Sequence, residues 1–154
     1  MSSLSPSSLA RLVPPASRLY PALKGLSVVL GAIIVVLSLI PNPPGGAGGG
    51  PIGASLSRLV FGTDAYADKA AHFLAYAALA GTALIAWGRH RRAAAWTLLL
   101  LLGLGATLEL LQAAGGVRTG DLTDVLANGV GVAAGTAGGA ATRLGIRALG
   151  LSPR

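Results

Sequence analysis

Between Leu23 and Ile40 the chain is almost wholly apolar, broken near its start by Lys24 and closed by Pro41. About 20 apolar residues in helical form match the hydrocarbon thickness of a bilayer. Comparable stretches follow at 69–87 and at 93–114, the latter around a Leu98–Leu102 run, and a Gly/Ala-rich fourth occupies 121–141. Hydrocarbon offers no hydrogen-bond partners, so a spanning backbone must satisfy itself, as a helix does. The expected fold is therefore an all-α membrane protein, a bundle of four transmembrane helices. Only 11% of the residues are charged and 53% are hydrophobic, whereas a soluble domain carries about a quarter charged.

The polar segments set the domain plan. Residues 1–21, rich in Ser and Pro with Arg11 and Arg18, read as a disordered basic leader. Residues 22–142 make the membrane domain and 143–154 a short basic tail. Within the domain, 41–67 contains Pro43-Pro44, Gly45-Gly46 and Gly48-Gly49-Gly50-Pro51. Such a run breaks helices and belongs outside the hydrocarbon, with Leu56–Phe61 as a short segment resting on the interface. The first apolar stretch also has the makings of a signal-peptide core. No A-x-A-like cleavage site follows it, so a retained first helix is expected. On the fourth stretch Gly131, Gly135 and Gly139 fall four apart, a small-residue stripe suited to close approach of a neighbouring helix.

Lys and Arg accumulate on the cytoplasmic side of membrane proteins. Arg11, Arg18 and Lys24 precede or open the first span, Arg89, Arg91 and Arg92 form the turn between the second and third, and Arg143, Arg147 and Arg154 end the chain. Arg58, Lys69 and Arg118 alone lie on the other side. Both termini are thus expected inside the cell, in a multi-pass protein of the bacterial cytoplasmic (inner) membrane. Trp87 and Trp96 flank the basic turn, at headgroup level. The same distribution argues against nucleic acid as a partner, although the net charge is +7, because the cations border apolar runs. There are no cysteines, so neither disulfides nor thiolate chemistry contribute.

The five carboxylates, Asp64, Asp68, Glu109, Asp121 and Asp124, all fall toward the outer helix ends, which the orientation rule does not require. Asp68, His72 and Tyr76 are spaced four apart, Glu109 and Gln112 three apart, and Asp121, Asp124 and Asn128 three and four apart. Each set lines one helical face. Three helices therefore bring polar groups to one level, with Lys69 and Arg118 as the nearby cations. Ionisable groups in a span cost about 2.5–3.5 kcal/mol each, and they usually face the bundle interior and mark function.

The segment Asp68-Lys69-Ala70-Ala71-His72-Phe73-Leu74-Ala75-Tyr76, followed by Glu109-x-x-Gln112, Arg118 and Asp124-x-x-x-Asn128-Gly129, resembles the ordered signature of VanZ-like membrane proteins. The likeness runs from Asp68 to about Gly135, and the loop ahead of it is longer than the family's pattern suggests. It implies membrane placement and importance of the polar cluster. It also implies an association with low-level resistance to the glycopeptide teicoplanin, without settling a mechanism.

Three function classes remain open. In a binding reading, Lys69 and Arg118 attract an anionic headgroup of a lipid-linked cell-envelope intermediate, while Asp68, His72, Tyr76, Glu109, Gln112, Asp121, Asp124 and Asn128 bind its hydroxyl and amide groups. In an enzymatic reading, a membrane-embedded hydrolase or transferase uses His72, Glu109 and Asp124 as catalytic groups, with a divalent metal as a candidate cofactor. In a structural reading the cluster only links helices. No H-E-x-x-H or G-x-S-x-G motif occurs, and His90 sits in the basic turn as an interface residue. A transporter would need these short spans to oligomerise, and oligomerisation stays open.

Overall fold

A computed structural model of the chain describes residues 16–40, 48–88, 91–115 and 121–148. They form five helices and no strand: α1 (Ala16–Leu39), α2 (Gly50–Phe61), α3 (Ala67–Trp87), α4 (Arg91–Gly115) and α5 (Leu122–Ala148). Among the described residues three segments are long and apolar enough to cross a membrane: Arg18–Leu39, Ala67–Trp87 and Arg92–Gly115. Helix α5 has the length but not the hydropathy, because Gly, Ala and Thr fill the places that Leu fills in α4. Most of the leader, residues 41–47, Arg89-His90, residues 116–120 and the end of the tail lie outside the described residues.

Helix α3 is the hub and packs against each of the other four helices, most extensively against α5. The reason is the glycine stripe. A Cβ on Gly131 would run into the carbonyl oxygen of Phe73, and one on Gly135 into that of Ala77. On Gly139 it would lie 2.9 Å from the oxygen of Gly81. Backbone meets backbone here, as dispersion contacts between helices in lipid demand. At the basic end Arg143 of α5 donates to the carbonyl oxygen of Leu84 at 2.9 Å, satisfying one of the last carbonyls of α3 with a cation that the helix dipole favours.

Helix α2 arises inside the Pro/Gly-rich segment. Gly49 and Gly50 adopt positive φ (89° and 60°) and Pro51 lies in the first turn, where its missing N–H is harmless. Gly62, at φ 73°, ends it. Gly53 packs on the carbonyl of Ala67, and the fully buried Ser57 donates its hydroxyl to the carbonyl of Thr63 at 2.6 Å. Ile52, Leu59, Val60 and Phe61 are left exposed, so α2 shows an apolar face outward, as an interfacial helix does.

Candidate polar site at the acidic end of the bundle

Of the ten residues singled out, nine are described: Asp68, Lys69, His72 and Tyr76 on α3, Glu109 and Gln112 on α4, and Asp121, Asp124 and Asn128 at the start of α5. Arg118 lies outside the described residues. Spacing of four on α3 and of four from Asp124 to Asn128 turns each set onto the α3–α5 seam, and the glycine stripe brings the seam close.

The strongest link is ionic. Lys69 Nζ donates to Asp121 Oδ2 at 2.8 Å and to Asp124 Oδ1 at 2.9 Å. The Asp124 side chain is 7% exposed, against 31% for Lys69 and 42% for Asp121. Deep inside, His72 Nδ1 and Asn128 Oδ1 are 3.0 Å apart. The same imidazole has Glu109 Oε1 at 3.9 Å and Asp68 Oδ1 at 4.0 Å on its two nitrogens. His72 thus sits between two carboxylates and an amide.

Asp121 has a second duty. Its Oδ1 accepts from the Thr123 N–H at 2.8 Å and its carbonyl from Asp124 N–H at 2.9 Å, so it caps the N-terminus of α5. The Lys69 hydrogen bond first, and those from Thr123 next, hold the Asp121 carboxyl well below the usual carboxylate range. A folded-state value below the ordinary 3.8 stabilises the fold at pH above that value, and the contribution fades as pH falls beneath it. Melting in detergent across pH 2–6 should therefore show an acid-side decline in the native protein that is shallower in Asp121→Asn; equal slopes would remove Asp121 from the acid response.

Two polar residues of the acidic end make their bonds outside the cluster. Gln112, buried, donates through Nε2 to the carbonyl of Ser38 at 2.6 Å, tying the end of α1 to α4. Asp64 pairs with Arg58 at 2.8 Å on the exposed surface, apart from the cluster, where such a pair contributes little. Gly105 was not legible as a site residue. A Cβ there would lie 3.2 Å from Asn128 Nδ2 and 3.4 Å from Tyr76 Cε1, so its smallness lets α4 close over the site.

Lys69 is neutralised by its two aspartates, so it is not an open cation for an anionic group. Among the described residues the cluster sets Asp68, Glu109, Asp121 and Asp124 against one lysine. Ligand atoms of Asp68, His72 and Asp124 lie within 4.8 Å of one another, a donor set suited to a divalent cation, although such a cation must compete with the Lys69 ammonium for Asp124. Tyr76 is 1% exposed, and its hydroxyl has no hydrogen-bond partner among the described residues.

A family model described as VanZ/LLP1 matches residues 33–141, from within α1 to near the end of α5. No curated protein and no solved structure matches the chain.

Proposed function

The chain belongs to the VanZ/LLP1 family, and on that premise we propose that this membrane protein binds or modulates a cell-envelope or lipid-linked component through the α3–α4–α5 polar site. In this reading it is a multi-pass protein of the bacterial inner membrane, with α5 as a fourth crossing sheltered by α3, both termini cytoplasmic and the site external. Reporter fusions test the topology: one after Arg92 should behave as cytoplasmic and one near Gly48 as external.

The observation that carries the binding reading is the Tyr76 hydroxyl, on a buried ring that lies with Asn128 against Gly105, and left without a hydrogen-bond partner among the described residues. Leaving a buried hydroxyl unsatisfied costs about 1–3 kcal/mol, which a purely structural network would have no reason to retain. The surplus of carboxylates favours a ligand that presents hydroxyl, amide or amino groups, as the saccharide or peptide of an envelope intermediate does. Any effect on teicoplanin susceptibility would follow from that binding.

The test is the lipid that co-purifies with gently extracted protein, identified by mass spectrometry. Tyr76→Phe should keep or raise the melting temperature while losing that lipid, and His72→Ala and Glu109→Ala should lose it too. If Tyr76→Phe retains the same lipids as the native protein, the binding reading fails and a helix-linking role stands. The His72, Asp68 and Asp124 donor set supports a second reading, a metal-assisted hydrolase or transferase with Glu109 as acid or base. Stoichiometric divalent metal in the purified protein, lost in His72→Ala, would favour it.

A further inference from the structure

A concavity lies at the basic end of the bundle, opposite the polar site. Helices α1, α3 and α4 leave between them a groove of about 510 Å³, within the usual range of ligand pockets. It exists because small side chains face it: Gly31 from α1, Ala83 from α3 and Thr97 from α4. Val35, Trp87 and Trp96 complete its apolar walls, and both tryptophans are exposed on the bundle surface.

The rim is cationic. Lys24 Nζ stands 4.7 Å from the Trp87 ring centroid, a cation–π geometry. The Trp87 indole N–H is already used, donating to Ser27 Oγ at 3.1 Å. No carboxylate pairs with Lys24 among the described residues, and all five acids of the chain lie toward the far end of the bundle. Arg92, exposed, precedes Ala93 on the groove wall. An apolar slot beneath unneutralised cations at headgroup level is complementary to one occupant.

We propose that this groove binds an acyl chain of an anionic phospholipid whose headgroup rests on Lys24 and Arg92. The inference depends on the membrane reading but not on the polar site. The chain has two tryptophans, and both line the groove, so intrinsic fluorescence reports its occupancy. The protein is reconstituted in bilayers of phosphatidylcholine and phosphatidylglycerol with brominated chains on one lipid or the other. Quenching by the brominated phosphatidylglycerol should exceed its mole fraction with about thirtyfold preference, the factor expected of about 1 kcal/mol from each of the two basic residues at an anionic surface. Lys24→Gln should lower that preference about fivefold. Gly31→Leu should reduce quenching by either lipid; a Cβ there meets nothing within 4 Å and the residue lines the groove, so the variant is expected to fold and to fill the slot. Quenching that follows mole fraction whatever the headgroup would overturn the proposal in favour of ordinary boundary lipid. Absence of quenching by both lipids would overturn it in favour of a second copy or another protein over the groove.

Discussion

Gly135→Ala is expected to lower the melting temperature of the purified protein by several degrees, and Gly135→Leu to leave little folded protein to purify. The added Cβ meets the carbonyl oxygen of Ala77, which is backbone and cannot swing aside as a side chain would. The helices must separate along the whole stripe, loosening Gly131 against Phe73 and Gly139 against Gly81. Overpacking of this kind costs about 1–3 kcal/mol and occasionally more, and the most extensive helix contact of the fold lies here. At roughly 2–4 °C per kcal/mol for a chain of this size, Gly135→Ala should melt roughly 2–12 °C lower. Gly129→Ala and Gly138→Ala are the controls, since an added Cβ meets nothing within 4 Å at either position. Equal melting of Gly135→Ala and Gly138→Ala would disprove the close approach of α3 and α5.

The second large effect is expected at Lys69. Replacing it by Met removes the cation shared by Asp121 and Asp124. Asp121 is well exposed and can rehydrate, whereas Asp124 is buried and keeps an uncompensated charge. Breaking one side of a buried pair costs about 3–5 kcal/mol. The partial exposure of Lys69 puts this case at the lower end. Adding Asp124→Asn removes the stranded charge, so the double variant should recover much of the loss, and a double-mutant cycle on melting measures the coupling. Additive losses with no recovery would mean that the pair does not carry the α3–α5 link.

Much of this architecture is legible in the chain itself. Apolar runs bounded by Pro41 and by arginines define helices because hydrocarbon leaves a backbone no alternative. Spacing of three and four places Asp68, His72 and Tyr76, or Asp124 and Asn128, on single faces because the helical period is set by covalent geometry. The stripe of Gly131, Gly135 and Gly139 likewise announces a close contact, though not its partner.

What tertiary structure decided is which faces meet and at what depth. It joined His72 to Asn128, turned Gln112 away to Ser38, and closed Lys69 between two aspartates. It made Asp121 a helix cap as well as a counter-ion, folded α2 within a stretch whose prolines and glycines read as loop, and left a groove where Gly31 faces Ala83. Such outcomes depend on helix rotation and axial shift, which local spacing does not determine. A rotation that seats three glycines on one neighbour fixes every other pairing at once, because interiors are too densely packed to accommodate a second arrangement.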